Sequence, residues 1–263
     1  MSLNLQTNSC FSNSQSQVSW QGRRIINAEE FGTYLRGKVY ERLIDEENRR
    51  ACMADLEGLA TTGMASDRLR QFIASEPARE PWEVGEAIAE CLLADILDVK
   101  WPWNSERDKR SPRASLPGAD LVGFLPEGDS VFLLLGEVKT SEDKNTPPGV
   151  MSGRTGMIHQ LDQLANELPN HWTLIKWLYP RCQQAEFRQL YEKAIREYIS
   201  TNGRALVLCG LLMRDTTPNE LDLKNRAQAL VGKVVAPTRI QLTAWYLPSP
   251  IVSWSEIATG GSG

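Results

Sequence analysis

The sequence has 263 residues, of which 41% are hydrophobic and 24% charged, and its formal net charge is −4 at pH 7. This length and composition fit one large globular domain, or a domain with an appended helical region. Proteins that grip nucleic acid unaided usually carry a basic surplus that neutralises phosphates, so the acidic balance argues against strong autonomous DNA binding. Two histidines and five scattered cysteines without a CxxC pair exclude a multi-histidine metal cage and a cysteine zinc site.

No apolar run approaches the roughly 20 residues that span a bilayer. Residues 1–21 are rich in serine, asparagine and glutamine and lack the apolar core of a secretory signal. We therefore expect a cytoplasmic protein that does not enter a membrane.

The first part of the chain, residues 1–79, is predicted to be a helical region that caps the domain or faces a partner. Residues 20–26 are compatible with a short extended piece. Apolar spacings of three and four then predict a helix from residue 28 to about residue 55. A break at 58–64 precedes a second short helix at 66–75.

The second part, residues 80–259, is predicted to be an α/β domain in which a mixed β-sheet is flanked by helices. Its predicted elements, in chain order, are a helix at 83–98, an irregular segment at 100–118, strands at 119–125 and 131–139 around a turn at 126–129, a polar loop at 141–156, helices at 157–167 and 184–200, a strand at 204–213, a helix at 221–231 and a strand at 239–247. The glycine-rich tail at 260–263 resembles a linker and carries no fold information.

Two charged residues, Glu137 and Lys139, end the most apolar run of the chain. Residues two apart in a strand point to the same face, so these side chains project together. Asp120 lies on the preceding strand, and pairing about the turn brings it close to Glu137. Two neighbouring carboxylates repel each other, and a divalent cation such as Mg²⁺ or Mn²⁺ relieves this repulsion because it prefers hard oxygen ligands.

Neighbouring helices offer side chains that can assist such a metal. Glu86 and Glu90 share one face of the predicted helix at 83–98, and either can supply a further ligand, with Glu86 favoured. Gln160, on the helix that follows the strands, can contact a phosphate or order the water on the metal. Lys139 can orient an attacking water or stabilise charge on a phosphate, while the metal lowers the pKa of that water.

The pattern Gly118-Ala119-Asp120, then sixteen residues, then Glu137-Val138-Lys139 at the end of an apolar strand resembles the PD-(D/E)XK nuclease superfamily. The resemblance covers about residues 83–213. It implies a restriction-endonuclease-like fold and a Mg²⁺-dependent phosphodiesterase that acts on DNA.

The same resemblance implies roles for single residues. Asp120 and Glu137 would be metal ligands, the Val138 carbonyl a third ligand, and Lys139 the group beside the attacking water. The size of the chain and its Gly-Glu-x-Lys strand end are also similar to nuclease components of two-gene antiphage defence systems such as Hachiman. That similarity implies a helicase or ATPase partner.

Two other functions stay open at this point. The chain can be a catalytically idle nuclease-fold module that binds a partner protein or DNA ends, which would suit its acidic balance. It can also be an unrelated α/β enzyme acting on a small metabolite, although no glycine-rich phosphate loop, GxSxG sequence or multi-histidine site supports this.

Each candidate residue also has a purely structural interpretation. Glu137 and Lys139 can form a surface salt bridge, and Glu86, Glu90 and Gln160 can be solvated helix residues. Trp101 and Trp103 can stack on bases or pack in the core. A basic cluster can follow a phosphate backbone or be a solvated loop; its members are Arg107, Lys109, Arg110 and Arg113.

Overall fold

The computed structural model describes residues 5–74, 78–111, 114 and 118–261, which form an α/β structure around one mixed sheet. The strands are β1 (Thr7–Gln15), β2 (Val18–Ile25), β3 (Leu121–Glu127), β4 (Ser130–Ser141), β5 (Leu206–Arg214) and β6 (Arg239–Tyr246). They lie in the order β1-β2-β6-β5-β4-β3. The three central pairings are parallel, and the two outer pairings, β1–β2 and β3–β4, are antiparallel hairpins.

Helices lie on both faces of this sheet. They are α1 (Ala28–Tyr34), α2 (Tyr40–Leu43), α3 (Glu46–Leu59), α4 (Gly63–Ala74), α5 (Pro81–Leu97), α6 (Met157–Asn166), α7 (Leu168–Leu178), α8 (Ala185–Ser200), α9 (Lys224–Leu230) and α10 (Trp254–Thr259). A π-helical stretch, Leu35–Val39, joins α1 to α2. Among the described residues, no helix is both long enough and apolar enough to cross a bilayer.

Side chains of the central strands alternate between two apolar layers. On β4, Leu134 and Val138 belong to the layer that includes α1 and α5, whereas Leu133 and Leu135 belong to the layer that includes α6 to α9. Every residue of β5 is buried. Because both faces of these parallel strands are covered, their sequences are continuous apolar runs rather than alternating ones.

The prediction of a helical N-terminal region is wrong for its first part. β1 and β2 form a hairpin, and β2 extends the sheet by pairing in parallel with β6, with Trp20 opposite Leu242. β1 is an edge strand whose side chains are mostly exposed, so its serines and asparagines show no apolar alternation. The extended piece predicted near Trp20 is confirmed as β2. The boundary at residue 80 stays a prediction.

The helix that carries Glu86 is confirmed as α5, which begins two residues earlier than predicted. Pro81 occupies the first turn, where its missing N–H costs nothing. The Glu83 carboxylate accepts a hydrogen bond from the Glu80 N–H at 2.8 Å. The helix approaches β4 closely: a Cβ atom on Gly85 would lie 2.0 Å from the Thr140 hydroxyl oxygen. Glycine at this position therefore lets α5 pack against the strand that ends in the candidate site.

The hairpin of β3 and β4 is confirmed. Its turn lies within the predicted residues 126–129, and Gly128 has a φ of +58° there. β3 begins at Leu121, so Asp120 directly precedes the strand. Helix α7 was not predicted. It has a proline in its first turn. In the sequence this proline indicates the end of a helix, but it is also common at the first position of one.

Substitution of Gly136, the residue before Glu137, is expected to destabilise the protein. A Cβ atom there would lie 2.4 Å from the backbone oxygen of Cys209, which cannot move without disturbing β5. We expect Gly136→Ala to lower the free energy of unfolding by about 1–3 kcal/mol. Chemical denaturation checks this. Gly58→Ala on α3, where a Cβ would meet nothing within 4 Å, should be neutral or stabilising.

Candidate functional site

Asp120 and Glu137 lie side by side at one end of the β3–β4 hairpin. Leu121 pairs with Gly136 in the register, so Asp120 and Glu137 are the next residues opposite each other and share one face. An oxygen of Asp120 accepts a hydrogen bond from the Val138 N–H at 2.9 Å, which fixes that carboxylate against β4. The predicted meeting of these two acids is therefore confirmed, while their catalytic role stays a prediction.

Glu137 is buried, with only 1% of its side chain exposed. Burial, the charge of Asp120 and a side-chain hydrogen bond with Asp120 raise the pKa of Glu137 to about 9. The Lys139 ammonium lies 3.4 Å from a Glu137 oxygen and acts in the opposite direction, but does not offset the rise in that pKa. This ion pair is more buried than the surface salt bridge that was the structural alternative, since Lys139 is only 19% exposed.

The backbone of Val138 adds an oxygen to the same edge. In an antiparallel pair, the N–H and C=O groups of one residue point to the same side of the strand. Because the Val138 N–H faces Asp120, the Val138 carbonyl faces that side too. The site thus combines two carboxylates and one backbone carbonyl, all of them hard oxygen donors.

The two glutamates of α5 differ in their contacts. Both carboxylate oxygens of Glu90 accept hydrogen bonds from Arg42, at 2.5 and 2.8 Å. Glu86 makes no hydrogen bond or ion pair with any described residue, and it is flanked by Asp120, Glu90 and Glu83. Burial and the charges of those acids raise the pKa of Glu86 to about 9. Of the two, Glu86 is the carboxylate left to contact a ligand beside Asp120.

Gln160 lies on the helix that covers the Glu137 face of the sheet. Met157 and Leu161 of the same helix flank Gly210, which is the register partner of Glu137. The side-chain oxygen of Gln160 is buried and has no hydrogen-bond partner within the described ranges. The structure places this glutamine near the correct face but shows no contact between it and the two acids.

The chemistry of these donors fits Mg²⁺ or Mn²⁺. Across residues 5–74, 78–111, 114 and 118–261, no three histidine, cysteine, aspartate or glutamate side chains form a group that could hold a metal ion alone. Mg²⁺ is commonly held by only one or two carboxylates, with waters and substrate phosphates completing its shell. Asp120, Glu137 and the Val138 carbonyl are sufficient for such an open site.

Beside Asp120 lies a pocket of about 360 Å³ that the sequence did not predict. We call it the tryptophan pocket because Trp82, Trp103 and Trp177 line it, together with Asp120 and Arg181. Trp101 lies outside this pocket: it packs against Gly123 and donates a hydrogen bond to the Glu90 carbonyl, so the core interpretation holds for this residue.

Two of the four members of the basic cluster are neutralised by acids. Arg107 binds the Asp45 carboxylate at 2.5 and 2.9 Å, and Lys109 contacts both Glu83 and Glu106. Arg110 is exposed at the pocket, and Arg113 lies outside the described residues. Arg107 and Lys109 therefore join the loop to neighbouring helices, and their charges are not free to bind a phosphate.

Comparison of the chain with models of known protein families and with curated proteins gives no match. The site is therefore interpreted from its own geometry and chemistry.

The stability of the protein without divalent cations is expected to fall as the pH rises. A carboxyl group with a folded-state pKa raised from 4.5 to about 9 stabilises the fold below the lower value, and this contribution is lost as the pH rises to the higher value. One such group contributes a slope of up to about 1.4 kcal/mol per pH unit. In chemical denaturation over this pH range, the free energy of unfolding of Glu137→Gln should fall less steeply with pH than that of the wild type.

Asp129→Asn is the matched control, because Asp129 is exposed at the opposite end of the same hairpin. The free energy of unfolding of this variant should change with pH as that of the wild type does. An equal slope for Glu137→Gln would contradict the assignment of the raised pKa.

Proposed function

We propose that this protein is a Mg²⁺-dependent nuclease that hydrolyses DNA phosphodiester bonds. The observation that carries the proposal is the pair of adjacent carboxylates, Asp120 and Glu137, with the Lys139 amine beside them. Glu137 is buried and Asp120 lies partly exposed beside it, and two carboxylates this close favour a bound proton or cation, since a buried charge without a counter-charge is costly. The resemblance of this arrangement to the PD-(D/E)XK superfamily supports the choice of a phosphodiester as substrate.

Each residue has a distinct task in this proposal. Asp120, Glu137 and the Val138 carbonyl would hold the cation, and Glu86 would contact it directly or through a water. Bound Mg²⁺ would polarise the phosphodiester and lower the pKa of the attacking water. Lys139 orients that water and stabilises the charge that develops on the phosphate. Gln160 contacts a neighbouring phosphate or the ordered water from α6.

We further propose a protein partner, a helicase or ATPase, in a cytoplasmic defence or DNA-processing complex. The supporting observation is the pair α3 and α4, which exposes apolar side chains: Leu59 is 76% and Met64 81% exposed. The net charge of −4 also favours a complex in which the partner supplies most of the grip on DNA. The same two observations favour the second candidate, a catalytically idle module.

Substitution at the carboxylate pair or at the lysine should abolish cleavage. We expect Glu137→Gln and Lys139→Ala to lower the rate of DNA cleavage in Mg²⁺ by about 10²–10³-fold. Chelation of the divalent cation should have at least the same effect on the wild type. Gel assays on linear, nicked and circular DNA measure the rates, and circular dichroism verifies that each variant is folded.

Two variants control for loss of charge alone. Asp129→Asn removes an exposed carboxylate from the far end of the hairpin, and Lys193→Ala removes an exposed ammonium from α8. Both should cleave at the wild-type rate. A folded Glu137→Gln or Lys139→Ala protein that cleaves as fast as these controls would refute the proposed nuclease.

A further inference from the structure

We propose that the tryptophan pocket binds an unpaired nucleobase next to the scissile phosphate, so that the substrate is DNA with single-stranded character. This inference rests on the proposed nuclease function and specifies its substrate class. Asp120 lines the pocket and also belongs to the carboxylate pair. A nucleotide whose phosphate lies at that pair therefore has the pocket within reach of its own or an adjacent base.

The walls of the pocket suit a flat aromatic group. Its volume of about 360 Å³ lies within the usual range of ligand pockets, about 300–1,000 Å³. Indole rings from three separate chain segments, at Trp82, Trp103 and Trp177, line it. Bases stack on such rings with little dependence on sequence, because every base has a π-face.

A network of contacts holds one side of the pocket in place. The Arg181 guanidinium lies 5.2 Å from the Trp103 ring centroid and 4.3 Å from that of Trp177. Asp108 accepts hydrogen bonds from Arg181 at 2.7 Å and from the Trp177 indole at 3.0 Å. The aromatic wall is thus fixed before any ligand binds, which lowers the entropic cost of binding.

The charges of the pocket favour a neutral ligand group over a second phosphate. Arg181 is paired with Asp108, and Lys109 is paired with Glu83 and Glu106. Asp120 also lines the pocket and would repel a phosphate that lacked a cation, whereas Glu90 is paired with Arg42. The Trp103 indole N–H is shielded from solvent and has no acceptor in the described part of the chain. A base offers carbonyl and ring-nitrogen acceptors without adding negative charge.

A base in a duplex is stacked between its neighbours and cannot enter a side pocket. It must come from a single strand, a frayed end or a flap, or be extruded at an energetic cost. The pocket therefore selects DNA in which a base next to the cleaved bond is already unpaired.

The test compares three hairpin DNAs: one with an unpaired tail, one whose tail is abasic, and one with a blunt end. Fluorescence anisotropy in Ca²⁺ instead of Mg²⁺ measures affinity without cleavage. We expect the wild type to bind the tailed DNA about 10-fold more tightly than the abasic one, as base stacking on aromatic rings provides. Trp82→Ala should remove this difference, and Trp82→Phe should retain most of it.

Trp82 is the best position for this test, since its side chain donates no hydrogen bond to any described residue and contacts the Lys109 ammonium only through its ring. Trp172→Ala is the matched control: this tryptophan is 60% exposed, lies on α7 with Trp177, and does not line the pocket. It should retain the preference for the tailed DNA.

The outcomes separate this inference from the nuclease function. Equal affinity of the wild type for tailed and abasic DNA, or an unchanged preference in Trp82→Ala, overturns the base pocket even if the protein cleaves DNA in Mg²⁺. A Trp82-dependent preference without cleavage by the wild type supports the pocket and argues against a nuclease that acts without its partner. If the wild type binds none of the three DNAs, the base pocket is overturned.

Discussion

Two carboxylates that share one buried end of a β-hairpin are the constraint on which this structure depends. Glu137 has almost no access to solvent, and Asp120 lies directly opposite it in the register. Lys139 supplies one positive charge to the two carboxylates. Arg42 forms its ion pair with Glu90, and Lys109 forms one with Glu83. Such a site is stable only with a bound proton or a bound cation. The proposed cation-dependent reaction would use this instability, because a bound metal would relieve the repulsion between the two carboxylates.

The surrounding structure maintains this arrangement through the backbone. The Val138 N–H holds Asp120 at 2.9 Å, so the first carboxylate is fixed to the strand that carries the second. The absence of a Cβ at Gly85 lets α5 approach Thr140, which brings Glu86 toward Asp120 on the other flank. β4 pairs with β3 on one side and in parallel with β5 on the other, and most of its residues are buried, so it forms a rigid support. Rigid elements of this kind position reacting groups more precisely than loops do.

β3 is the outer strand of the sheet and lies next to the tryptophan pocket. No strand of the described residues covers the free edge of β3, and only an isolated bridge between Lys100 and Phe124 contacts it. The segment after that bridge contributes Trp103 to the tryptophan pocket, and α7 contributes Trp177. The pocket and the carboxylate pair meet at Asp120. In the proposed function, a DNA substrate at this edge would place a phosphate at the carboxylate pair and a base in the adjacent pocket.

Sequence reasoning succeeded where local pattern determines structure. The turn and the apolar run predicted the β3–β4 hairpin, and the period of two placed Glu137 and Lys139 on one face. The sequence did not predict features that depend on contacts between distant residues. The polar edge strand β1 has no alternation to detect, and the pairing of Glu90 with Arg42 joins residues far apart in the chain. The tryptophan pocket combines Trp82, Trp103 and Trp177, whose association no spacing in the sequence indicates.

The most direct test of this account is a crystal structure of the protein soaked with Mn²⁺, with anomalous scattering used to locate the ion. The account predicts one strong peak within coordination distance of both Asp120 and Glu137, on the side of β4 that the Val138 carbonyl faces. The peak should disappear in crystals of Glu137→Gln. A wild-type crystal with Mn²⁺ bound elsewhere, or with no peak between the two carboxylates at saturating Mn²⁺, would contradict the central claim.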